Sequence, residues 1–168
     1  VSEIVNKVAQ SGIITLDLED LVPERIESHI DIFNQLFQGL ILREKDFRAW
    51  VKENDWSLYT DHNVALFCSS DAVIPTWAYM LVSSALEPYT KQVYFTNPEN
   101  LSTLVAERAL TAINEEDYLD KRVVIKGCGK RAISNHAYVL LTTKLVRTAK
   151  TVMFGEPCST VPVYKKRK

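Results

Sequence analysis

Val64-Ala65-Leu66-Phe67-Cys68-Ser69-Ser70-Asp71, then Pro75-Thr76-Trp77, then Gln92-Val93-Tyr94-Phe95-Thr96, is the stretch that decides the fold class. A short apolar run closing in a polar loop reads as a buried strand. Pro75 suits a first helical turn. Thr76 to Glu87 then carries Trp77, Met80, Leu81 and Ala85 at helical spacing, and Pro88 ends the helix. Gln92 to Thr96 is a second strand. Strand, helix and strand in such a short span form a β-α-β unit, whose two strands run parallel.

Toward the C-terminus the plan is repeated. Asn97-Pro98 opens a helix that places Leu101, Leu104, Val105, Ala109, Ala112 and Ile113 on one face. Arg122 to Lys126 is a third strand, closed by Gly127-Cys128-Gly129. Ser134 can cap a helix reaching about Ala149, with Tyr138, Leu141 and Leu145 inward and Lys144, Arg147 and Lys150 at its negative end. Thr151 to Phe154 is a fourth strand, broken at Gly155-Glu156-Pro157-Cys158-Ser159-Thr160.

Toward the N-terminus the pattern is weaker. Ser2 to Gln10 reads as a short helix and Gly12 to Leu18 as a strand. Arg25 to Ile32 alternates as a half-buried edge strand, and Arg43 to Asn54 is a helix with Phe47 and Trp50 inward. No internal repeat stands out beyond the β-α unit itself. The expectation is a single α/β domain over residues 1–168. Residues 1–62 supply edge strands and a helix, 63–160 the regular units, and 161–168 a basic tail. The sheet is expected to be mostly parallel and the middle of three layers, with helices on both faces. Its four C-terminal strands are expected in the order second, first, third, fourth.

The 168 residues are 46% hydrophobic and 24% charged, an ordinary globular balance. No window approaches the uninterrupted apolar length of a membrane span. Val1-Ser2-Glu3-Ile4 lacks the basic start of a secretory signal, so a cytoplasmic location is expected. The net charge of −1 includes the tail Lys165-Lys166-Arg167-Lys168, so the rest of the chain is acidic. An acidic body argues against nucleic-acid binding, which draws its affinity from neutralised phosphates. The sequence leaves the oligomeric state open.

Cys68, Cys128 and Cys158 are an odd number of cysteines, and none belongs to a CxxC pair. A disulfide framework is not expected. Each follows a strand end, and in a parallel sheet all those ends share one edge, where open α/β sheets bind ligands. Three thiolates select thiophilic metals over magnesium or calcium. Zinc would need a fourth donor, with His136 or Asp71 nearest in the pattern. An iron–sulfur cluster could use three cysteines, although four are usual. The alternatives are a cysteine-dependent enzyme acting on a small molecule, with His136 as the available base, and an interaction module whose cysteines are packing. No GxSxG, GxGxxG, Walker-type or HExxH motif is present. The Trp77, Tyr79 and Met80 cluster reads as core.

Four segments carry a family resemblance: Gln38 to Phe47, Val73-Ile74-Pro75-Thr76-Trp77-Ala78-Tyr79-Met80, Val124-Ile125-Lys126-Gly127-Cys128-Gly129, and Phe154-Gly155-Glu156-Pro157-Cys158-Ser159-Thr160-Val161-Pro162-Val163-Tyr164. Over nearly its whole length the chain resembles an uncharacterised bacterial family, domain of unknown function 2480. The resemblance implies a genomic place beside iron–sulfur cluster assembly of the sulfur-mobilisation type. It therefore implies iron–sulfur assembly proteins as partners, and an accessory role in metal or sulfur handling. It supplies no established activity.

Overall fold

The computed structural model describes residues 12–22, 24–90, 92–126, 129–156 and 158–167. The helix expected over Ser2 to Gln10 lies outside the described residues. The fold is α/β, as expected, but its strands form two sheets. One has the order β1 (Ile13–Leu16), β5 (Arg122–Ile125), β6 (Thr151–Glu156), β7 (Ser159–Lys165). The other has the order β2 (Glu27–Asp31), β3 (Asn63–Phe67), β4 (Gln92–Phe95). All neighbours pair in parallel except β6 and β7, which are antiparallel.

The expected adjacency of the strands holding Val64 and Val123 is corrected here. β3 is flanked by β2 and β4, and β5 by β1 and β6, so neither has an edge left for the other. The pairs β3–β4 and β5–β6 were expected and are found. The weakly patterned N-terminal strands took the two places that the expected order gave to β3 and β5.

The chain divides into two compact units. Arg25–Leu104 forms a continuous unit, and the residues up to Glu24 and from Val105 onward form a split unit. Helices α1 (Leu18–Leu21) and α5 (Asn135–Leu145) belong to the split unit, and α2 (Glu44–Glu53) and α3 (Thr76–Leu86) to the continuous one. The boundary falls within α4 (Leu101–Thr111).

The two units repeat one plan at a constant offset of 59, which carries α3, starting at Thr76, to α5, starting at Asn135. The same shift carries β3 to β5, β4 to the start of β6, and the 3₁₀ turn Trp56–Tyr59 to Glu115–Tyr118. Asp55 and Asn114 cap those turns identically, accepting from Ser57 N–H and Glu116 N–H. Asp61 and Asp120, each just before its central strand, both adopt the left-handed region, at φ 62° and 54°. Strand register follows the same shift: Leu66 opposes Phe95, and Ile125 opposes Phe154. With no gap, Val64, Ile74, Ala78, Tyr79, Leu86, Val93 and Phe95 align with Val123, Ile133, Ala137, Tyr138, Leu145, Val152 and Phe154. The sequence reading missed this duplication because the identities are scattered among unlike residues.

Packing follows the repeat. α3 buries Ala78, Val82 and Leu86, and α5 buries Ala137, Leu141 and Leu145. The small alanine brings each helix close to its sheet, and the leucines fill the core. The expected inward stripe on α3 is thereby corrected, since Met80 is 66% exposed. α2 buries Phe47 and Val51, with Trp50 half-buried. Phe47, Trp50, Trp56 and Trp77 form an aromatic cluster, in which Trp56 Nε1 donates to the Val51 carbonyl at 2.8 Å.

β7 was not expected as a strand. Its Pro162, which has no N–H to donate, is tolerated because β7 is an edge strand. Gly155 at φ 117° makes the preceding turn possible, since a Cβ there would meet the Ser159 carbonyl at 2.6 Å. The segment 161–168 is thus mostly strand. Lys166, beyond it, donates to Asp120 at 2.8 Å. Among the described residues, no helix is long and apolar enough to cross a membrane.

Candidate functional site

Each unit presents the C-terminal ends of its parallel strands on one edge, and the pairing of β1 with β5 and of β2 with β3 puts an aspartate at the same corner of both. Asp17 follows β1 and accepts from Glu19 N–H at 3.0 Å. Asp31 ends β2 and accepts from Phe33 N–H at 2.9 Å. Both aspartates therefore cap the turn that follows. Their second partners differ.

In the split unit Asp17 Oδ2 pairs with Lys126 Nζ at 2.6 Å. The hydrogen bond from Lys126 holds the Asp17 carboxyl below the usual carboxylate range, and the same bond raises Lys126. Arg131 Nη2 donates to the carbonyls of Glu19 at 2.5 Å and Val22 at 2.8 Å, while Arg131 N–H donates to the Glu19 carboxylate. Gly129 lies so close to Glu19 that a Cβ would collide with its carboxylate. The chain is thus fastened on either side of residues 127–128, by Lys126 to the Asp17 cap of α1 and by Arg131 to Glu19 and Val22. Cys128 lies between these anchors in sequence and outside the described residues.

In the continuous unit Phe67 occupies the place of Lys126. Asp31 instead accepts from Ser69 N–H at 3.0 Å. Burial pushes the Asp31 carboxyl up, but hydrogen bonds from Ser69 and Phe33 outweigh it and lower the pKa. Cys68 is half-buried, with Sγ 3.4 Å from Ser70 Oγ. Burial first, then the nearby Cys68 and Asp31, raise the Tyr79 hydroxyl.

The remaining candidates fall as follows. Cys158 is a free, exposed thiol in the turn joining β6 to β7. His136 is exposed at the start of α5, with Nε2 3.9 Å from Glu107 Oε2. Asp71 is exposed in the loop after Cys68. Cys68 and Asp71 belong to the continuous unit, while Cys128, His136 and Cys158 belong to the split unit. Among the described residues, no three of His, Cys, Asp and Glu stand together as a metal-holding group.

The sequence reading missed Asp17, Glu19, Lys126 and Arg131. The available signal was the pair of aspartates ending β1 and β2, each two residues before the N–H it caps.

A family model described as "Protein of unknown function (DUF2480)" matches residues 2–166. The chain belongs to this family. No curated protein and no solved structure matches the chain. The fold of this DUF2480 chain comprises two β-α-β units, each with an added edge strand, of which the split one gains β7.

Proposed function

We propose that this DUF2480 chain handles a thiophilic ligand, metal or sulfur, through Cys128 and Cys158 of the split unit. The observation that carries the reading is the exposed free thiol of Cys158 at the end of β6, the immediate parallel neighbour of β5. The loop bearing Cys128 leaves β5, and its anchors fix where it starts and returns. Parallel neighbours lie about 4.8 Å apart, so loops leaving β5 and β6 start side by side.

Two thiolates are half the donor set of a structural zinc site or of a typical iron–sulfur cluster. A half-site with an exposed thiol at Cys158 suits a carrier that receives and passes on its cargo better than it suits a closed resident centre. This agrees with the accessory role in iron–sulfur assembly that the family resemblance implies. Cys68 is left out of the proposed pair. It belongs to the other unit, and its hydrogen-bond partner is a serine hydroxyl instead of an imidazole.

The test is anaerobic loading of the purified chain with ferrous iron and sulfide, and separately with zinc, in three single Cys→Ser variants. Cys128→Ser and Cys158→Ser should each lose the bound metal, and Cys68→Ser should keep it. Equal loading of all three variants, or none by the parent chain, would contradict the proposal.

A further inference from the structure

The duplication exposes a difference between two equivalent surfaces. Beside α5 and β6 an apolar groove of about 350 Å³ is lined by Ile125, Tyr138, Val139, Thr142 and Phe154, among others. Shifted by the repeat offset, these become Leu66, Tyr79, Met80, Ser83 and Phe95, which line a groove of about 640 Å³ beside α3 and β4. The same edge-on ring contact marks both, Tyr138 with Phe154 at 5.7 Å and Tyr79 with Phe95 at 4.9 Å.

In the split unit a strand already borders the groove. β7 pairs antiparallel with β6, and the register break between Val152 and Met153 leaves Val163 without an opposite residue. Val163 instead lines the groove. In the continuous unit, among the described residues, no strand pairs with the outer edge of β4. Its groove is larger, and Phe95 is 75% exposed where Phe154 is 40%.

The β4 edge is also undefended. Edge strands usually carry charge or proline to prevent pairing with other chains. β7 carries Pro162 and Lys165, and β2 carries Glu27, His29 and Asp31. β4, Gln92-Val93-Tyr94-Phe95, carries neither. β1 shares that lack, but β4 combines it with the groove.

We infer that the β4 edge and its groove accept an extended segment of a partner protein, added antiparallel as β7 is added to β6. The segment's chemistry can be read from β7, with β-branched residues to fill the groove. Charge adds a second requirement. The continuous unit holds six basic and ten acidic residues, a net −4, so the fitting segment is flanked by basic residues. Ser159-Thr160-Val161-Pro162-Val163-Tyr164-Lys165 with the basic run after it has both properties. In such strand addition the main chain supplies affinity and side-chain pockets supply selectivity.

The test uses a fluorescent synthetic peptide with the sequence of residues 159–168, titrated into the full chain and followed by anisotropy. Saturable binding is expected, weakening as salt rises. Phe95→Glu places a charge in the free groove and should weaken binding by at least about tenfold, roughly 1.4 kcal/mol. Val139→Glu, in the groove beside β6, should leave it unchanged. Both positions are well exposed, so the variants are expected to fold, with circular dichroism as the check. No saturable binding up to millimolar peptide, or equal binding by Phe95→Glu, would overturn the inference. Dimerisation of the chain alone, lost in Phe95→Glu, would overturn it in favour of a second copy as occupant.

Discussion

The two units share a plan and differ at their edges, and the differences separate what the fold requires from what it adds. Both keep the alanine that seats the helix, the leucine that closes the core and the tyrosine–phenylalanine contact at the groove. Both keep an aspartate at the end of the first strand. The split unit alone has Lys126 bound to that aspartate, two cysteines on successive strand ends, and a seventh strand beside its groove. The continuous unit has Phe67 in place of the lysine and, among the described residues, no strand paired to the outer edge of β4. The shared features support the fold, and the unshared ones are where function is to be sought.

The comparison is tested most severely in the core. Leu86→Ala and Leu145→Ala remove equivalent side chains that are both fully buried. Each should cost about 2–5 kcal/mol, since truncating a buried leucine loses its transfer energy and leaves a cavity. Denaturant unfolding of both variants checks this. A large cost in one and almost none in the other would break the equivalence of the units.

A smaller effect is expected where the units differ. Lys144, at the position of Ala85, donates to the carbonyls of Leu110, Thr111 and Ile113 around the end of α4. These are charge-assisted bonds to carbonyls at and just beyond a helix C-terminus. Lys144→Met should cost about 1–3 kcal/mol, read from denaturant unfolding, whereas the equivalent position in the continuous unit is an alanine, Ala85, with no such bond to lose.

The smallest effect concerns the loop bearing Cys128. The Asp17 pKa is depressed, so its contribution is fully present above the unfolded value, about 3.9, and is lost as pH falls through the lower folded value. Hydrogen exchange over residues 126–131 should accelerate in that acidic window and not at neutral pH. Lys126→Met should produce the same acceleration at neutral pH. Unchanged exchange in that variant would show that Arg131 holds this segment without Lys126.

Much of this fold was legible in the sequence. β3, β4, β5 and β6 announce themselves as short apolar runs closed by polar, glycine or proline loops, and the helices between them by spacing and capping. Strand order was not legible, because it depended on which edges β1 and β2 would take, and both are short and weakly patterned. β7 was hidden by Pro162 and the adjoining charges, which argue against a central strand but suit an edge. The exposure of Met80 and Phe95 could not be read either, since an apolar side chain looks the same in sequence whether it fills a core or lines an open groove. Of the site, the placement of cysteines at strand ends was readable, but their division between two units was not. That division required knowing that two sheets form in place of one.

The central proposal is that Cys128 and Cys158, both in the split unit, act together, without Cys68 of the continuous unit. Mild oxidation of the full chain with diamide, followed by peptide mapping of disulfides, tests it most directly. A disulfide requires Cα atoms within about 4.4–6.8 Å, which loops leaving neighbouring strands can reach. The account expects one intramolecular bond joining Cys128 to Cys158, with Cys68 recovered as a free thiol. A bond involving Cys68, or no intramolecular bond when both other thiols react freely with alkylating agents, would contradict it.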